Sequence, residues 1–158
     1  MIIKKDNSVV VIILNKNKIL LDPPKPLEGF INILSDPQKN LNTNKFFNMP
    51  GEYEVEGVYL RIYFNKKNLI SVFRINEVNF IYLNEDLSDE LLNFILTEWS
   101  ELDIALIRNK INILDKIKNK LKFKMIIDLD NKNNLKGEKI KELKINSKKI
   151  EEKNIILV

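Results

Sequence analysis

Met49-Pro50-Gly51-Glu52-Tyr53-Glu54-Val55-Glu56-Gly57-Val58 is the passage from which this chain is best read outward. Pro50-Gly51 is a turn signal, because proline presets one backbone angle and glycine supplies the freedom the next position needs. Glu52 to Glu56 then alternates with a period of two. Three glutamates fall on one face and Tyr53 and Val55 on the other, as in a half-buried strand. Gly57 is expected to interrupt that strand as a bulge or a close backbone approach. Val58 to Phe64, Leu69 to Ile75 and Val78 to Leu83 read as the next strands of an antiparallel meander.

Upstream, Val9 to Leu14 and Ile19 to Leu21 read as two strands joined by the polar run Asn15-Lys16-Asn17-Lys18. Asp22-Pro23-Pro24 ends the second, since proline cannot donate to a ladder. Phe30 to Leu34 is a further short strand, followed by a loop to Asn44. Downstream, Ser88 is an N-cap with Asp89 and Glu90 in the first turn, where the helix dipole favours carboxylates. Leu91, Leu92, Ile95, Leu96 and Trp99 fall on one helical face, with Trp99 expected in the core. Leu102 to Ile107 is a strand, Ile113, Leu114, Ile117 and Leu121 mark a second amphipathic helix, and Phe123 to Leu129 and Lys153 to Val158 are strands. Strands interleaved with two late crossover helices predict an α/β protein of sheets covered by helices. The absence of repeats or a linker predicts a single domain over residues 1–158.

Composition narrows the chemistry. The 158 residues contain no histidine and no cysteine. That removes disulfides, thiolate chemistry, and Ser-His-Asp or Cys-His catalysis, and four glycines leave no phosphate-cradling loop. Hydrophobic residues make up 44% of the chain, enough for a core, yet the N-terminal apolar run stops at Leu14. No membrane span or signal peptide is expected, and the cysteine-free composition suits a cytoplasmic protein. Positive charge is concentrated late: residues 109–149 carry 13 lysines against 5 acidic residues. Of the 26 basic residues, 23 are lysine rather than the bidentate arginine that reads phosphate and guanine best.

Five stations, in order, resemble the metallo-β-lactamase fold, especially its small hydrolase branch. Leu20-Leu21-Asp22-Pro23 is similar to that family's apolar strand ending in Asp-Pro. Pro50-Gly51-Glu52-Tyr53-Glu54 resembles the branch's Pro-Gly-Glu-Tyr-Glu strand. Leu83-Asn84-Glu85-Asp86 lies where the family has a strand ending in Gly-Asp. Leu102-Asp103-Ile104-Ala105-Leu106-Ile107 resembles its Val-Asp-Ile-Leu strand, and Ile126-Ile127-Asp128-Leu129-Asp130 falls where Ile-Pro-x-His follows. The resemblance implies an αββα sandwich, reduced in size.

It also implies where a zinc site would be. The family binds zinc through His-x-His-x-Asp-His with later histidines and a bridging acid. Here Asp36 and Gln38 stand where the first two histidines would be, Asn40 replaces the ligating carboxylate and Leu41 the last histidine. Asp130 holds the late histidine position, and Glu85 or Asp86 the bridging acid. Zinc favours imidazole nitrogen around an open position, so this set predicts loss of zinc and of hydrolysis, with no cofactor. The leading expectation is a zinc-free pseudoenzyme that binds, scaffolds or assembles with an unknown protein partner or with itself as a homodimer. One alternative is a hydrolase whose Asp22, Asp36, Asn40, Glu85 or Asp86, and Asp130 hold Mg²⁺, Mn²⁺ or Ca²⁺ through oxygen. Another is a nucleic-acid-binding module using the late lysines. Phe123, the aromatic among them, is expected to be buried.

Overall fold

The hairpin that anchors the sequence reading is present. β6 (Gly51–Val55) pairs with β7 (Val58–Asn65), with Val55 opposite Val58. Glu56 and Gly57 form the two-residue turn between them, with φ of 51° and 77°. That left-handed pair matches the twist of a tight hairpin, so Gly57 makes a turn and not a bulge. Glu56 accordingly lies outside the strand, while Glu52 and Glu54 alternate with the half-buried Tyr53 and Val55.

The structure is a computed structural model that describes residues 1–6, 9–37 and 45–158. β1 (Ile2–Asp6), β2 (Val9–Leu14), β3 (Asn17–Leu21), β4 (Ile31–Ile33), β5 (Phe46–Phe47) and β13 (Glu142–Lys144) form a sheet in the order β13-β1-β2-β3-β4-β5. A second sheet runs β12-β14-β11-β10-β9-β8-β7-β6. It adds β8 (Asn68–Ile75), β9 (Val78–Leu83), β10 (Ile104–Ile107), β11 (Met125–Asp128), β12 (Glu138–Ile140) and β14 (Lys153–Leu157). The meander β6 to β9 is antiparallel, and β9, β10, β11 and β14 are parallel neighbours.

Two helices supply the crossovers that parallel pairing requires. α1 (Asp89–Glu98) connects β9 to β10, and α2 (Leu114–Leu121) connects β10 to β11. The Ser88 side chain caps α1 by accepting from the Leu91 amide at 3.2 Å. Lys122, in the left-handed region at φ 49°, ends α2.

Two apolar layers hold the molecule. Between the sheets lie Ile12, Ile19 and Ile33 from one side and Leu60, Phe73, Phe80 and Ile127 from the other. The Phe73 and Phe80 rings stack at 5.1 Å. Outside the larger sheet, Leu92, Ile95 and Trp99 of the α1 segment and Leu114, Ile117 and Leu121 of α2 pack on Ile70, Val72, Ile81 and Ala105. Trp99 is in this core as expected, its indole N–H donating to the Tyr63 hydroxyl at 2.9 Å. Both helices cover the eight-stranded sheet, and among the described residues none covers the outer face of the six-stranded one. No helix among them is long and apolar enough to cross a membrane.

Candidate functional site

The parallel register brings the carboxyl ends of several strands to one rim. Leu83, Ile107 and Asp128 are paired in line across β9, β10 and β11, and Leu21 faces Ile33 across β3 and β4. In open parallel sheets the loops leaving such ends are where ligands bind. Asp22, Asp36, Glu85, Asp86, Arg108 and Asp130 all follow these ends.

Asp22 is the most constrained. It holds φ 46°, a left-handed value that aspartate tolerates better than most residues. One carboxylate oxygen accepts the Ser35 amide at 2.7 Å. The other accepts the Ser35 hydroxyl and the Tyr82 hydroxyl, each at 2.6 Å. These bonds join the ends of β3, β4 and β9 across the gap between the sheets. Burial pushes the Tyr82 phenol well above its ordinary value near 10, and the adjacent Asp22 charge pushes the same way. Tyr82 is therefore a neutral donor at any physiological pH.

Asp130 sits among cations. The Lys5 ammonium lies 3.7 Å away, Arg108 Nε 4.0 Å and the Lys132 ammonium 3.8 Å. Lys5 also donates to the Leu129 carbonyl at 3.0 Å. The neighbouring Asp128 is fully buried and accepts the amides of Asp130 and Asn133, which shapes the loop that presents Asp130.

The two acids after β9 turn to separate tasks. Glu85 accepts from Asn65 Nδ2 at 2.7 Å and Asn68 Nδ2 at 2.8 Å, one bond to each oxygen. Asp86 accepts the Ile113 amide at 3.2 Å and Asn112 Nδ2 at 2.9 Å, at the entry to α2. Asp36 follows Ser35 on the same loop. Gln38, Asn40 and Leu41 lie outside the described residues.

The rim thus gathers the expected acids without turning their oxygens toward a shared point. Among the described residues, no group of three or more His, Cys, Asp or Glu side chains comes together to hold a metal ion. The hydrogen-bond donors on these oxygens, Ser35, Tyr82, Asn65 and Asn68, and the cations beside Asp130, Lys5 and Arg108, carry no signal in the sequence. Tyr82 reads there as one more core residue of an apolar strand. Lys5 and Arg108 come from opposite ends of the chain, with no motif linking them.

No family model matches the sequence, and no curated protein matches it. Solved structures do match. A Thermotoga maritima protein described as a candidate Zn-dependent hydrolase of the metallo-β-lactamase superfamily superimposes with a TM-score of 0.76 at 18% identity. The match covers 99% of this chain and 98% of that one. The metallo-β-lactamase fold protein YhfI of Bacillus subtilis matches with a TM-score of 0.60 at 7% identity, over 95% of this chain and 88% of that chain. These matches, over nearly the whole of this chain, give it the metallo-β-lactamase fold.

Proposed function

We propose that this chain is a zinc-free, catalytically silent form of the fold, cytoplasmic, which serves as a binding, scaffolding or assembly protein. The observation that carries this is the engagement of the rim carboxylates by the protein's own donors. Zinc needs several unoccupied nitrogen, sulfur or oxygen donors converging within about 2.0–2.3 Å, with one position open for water. The Asp22 and Glu85 oxygens are satisfied by neutral hydrogen-bond donors, and Asp130 already faces three cations. A divalent ion would have to displace these partners, and only carboxylates would receive it. The residues present do not fit zinc, and no hydrolytic step is assigned to them. Without a metal-activated water or a histidine base, the rim acts as a polar clasp between the sheets.

The test is elemental analysis of untagged protein, since a histidine tag would import the missing ligands. Less than about a tenth of an equivalent of zinc is expected, with no change in melting temperature on adding chelator. Stoichiometric zinc, or chelator-sensitive turnover of a phosphodiester, lactone or thioester, would overturn the reading. A Mg²⁺, Mn²⁺ or Ca²⁺ stabilisation that vanishes in Asp130→Ala would replace it with an oxygen-ligated centre. The partner on this reading is another protein or a second copy of the chain, which light scattering of the purified protein distinguishes.

A further inference from the structure

Phe123 does not sit where the sequence suggests. It is half-buried, packs against the helix-side core, and also lines a groove of about 780 Å³. Lys118, Lys122, Lys124 and Lys153 line the same groove, with Glu152 its one acid. The position follows from local structure. Lys122 takes a left-handed conformation to end α2, and the turn delivers Phe123 beside the edge where Lys153 begins β14.

A second groove, of about 560 Å³, adjoins the first, with Lys118 and Asn154 shared between the two linings. It adds Lys110, Lys132 and Lys136 against a single acid, Asp115. Some of these lysines are already held: Lys124 by Asp103 at 2.6 Å, Lys132 near Asp130 at 3.8 Å and Lys153 by Glu151 at 3.3 Å. Lys110, Lys118, Lys122 and Lys136 have no ion-pair partner among the described residues. The result is a continuous positive track along one flank of α2, with an aromatic ring set among its charges.

We propose that this track binds single-stranded nucleic acid, Phe123 stacking on a base while Lys118, Lys122 and Lys136 take successive phosphates. A ring offers a stacking surface to any base, and lysine offers point charge without geometric discrimination. Binding of this kind is indifferent to sequence and steeply salt-dependent. The two adjoining grooves, of about 780 and 560 Å³, offer more room than one nucleotide fills, which favours a strand over a free mononucleotide. An acidic peptide would meet the lysines but would gain little from the ring. The Phe123 end of the track lies away from the rim, the second groove meets the rim at Lys132 and Asn112, and the proposal does not depend on the metal-free reading. Metal content measured on the same preparation lets either proposal fail without the other.

The experiment is fluorescence anisotropy of a labelled oligothymidylate with the full chain across a salt series. Saturable binding is expected at low salt, weakening as salt rises. Phe123→Leu keeps an apolar side chain against the core and loses the stacking face, so it should weaken binding roughly tenfold, while Phe123→Tyr should retain it. Lys118→Ala with Lys122→Ala should reduce the log–log salt slope by roughly 1.4, about 0.7 for each lost phosphate contact. Thermal melts of each variant confirm that it is folded. No binding at low salt would overturn the proposal. So would binding that both sets of variants leave unchanged, or competition by polyglutamate as effective as that by unlabelled oligonucleotide.

Discussion

At the scale of single residues, Tyr82 carries the most distinctive physical chemistry. Its hydroxyl supplies one of three hydrogen bonds to Asp22, and its phenol stays neutral because burial and the Asp22 charge raise its pKa. A hydrogen bond to a charged acceptor is worth roughly 1.5–3 kcal/mol, so Tyr82→Phe should cost about 2 kcal/mol in denaturant unfolding at neutral pH. The pH dependence adds a second signature. A phenol whose folded pKa lies above its unfolded value near 10 contributes stability that is complete below pH 10 and declines as pH rises toward the folded pKa. Tyr63, raised by burial and by its hydrogen bond to Glu98, adds to the same alkaline decline. In Tyr82→Phe the decline above about pH 10 should be shallower by up to about 1.4 kcal/mol per pH unit, so its stability curve converges on the wild type's. Parallel curves would show that Tyr82 does not titrate as described. None of this was legible in the sequence: Val78 to Leu83 predicts a strand, but not which hydroxyl meets which acid. Asp22 itself was legible, through the proline that follows it.

At the scale of elements, legibility tracked apolar periodicity. The meander, both helices and the other apolar strands from β2 onward were readable because their buried positions repeat at strand or helix spacing, whereas β1, Ile2-Ile3-Lys4-Lys5-Asp6, with charge at three of its five residues, was not. β12 and β13 were not, because Glu138–Ile140 and Glu142–Lys144 are three-residue segments rich in charge. They are strands because neighbours recruit them, β12 by β14 and β13 by β1, and pairing partners are long-range facts. β5, two residues long, is recruited by β4 in the same way. Gly137 makes the β12 contact possible. A Cβ there would lie 2.5 Å from the Asn154 backbone oxygen, too close for any side chain. Gly137→Ala should therefore cost about 1–3 kcal/mol. Hydrogen exchange should localise the damage, with the Val158 amide, which donates to the Ile140 carbonyl at 2.9 Å, losing protection while central β8 amides keep theirs. Uniform loss across the sheet would mean that β12 is integral to the core and not an appended edge.

At the scale of the whole molecule, the inter-sheet layer joins strands from both sheets around the stacked Phe73 and Phe80 rings. Neither sheet can open its inner face without exposing the other's. Heat or denaturant should therefore unfold the chain in one transition, with fluorescence of Trp99 beneath α1 and far-ultraviolet circular dichroism coinciding. Separate midpoints would divide the single domain that the sequence suggests. The order of strands also has a consequence for how the protein is made. β1 finds a partner in β13, and the Ile145 amide closes onto the Met1 carbonyl at 2.9 Å. β14 slots between β11 and β12, so the larger sheet has a gap until residues 153–157 arrive. A ribosome therefore has to extrude residues through 144 before the smaller sheet can be completed, and through 157 before the larger can. Through that interval, the unpaired edges of β11 and β1 stand open to whatever chaperone or neighbouring nascent chain reaches them first.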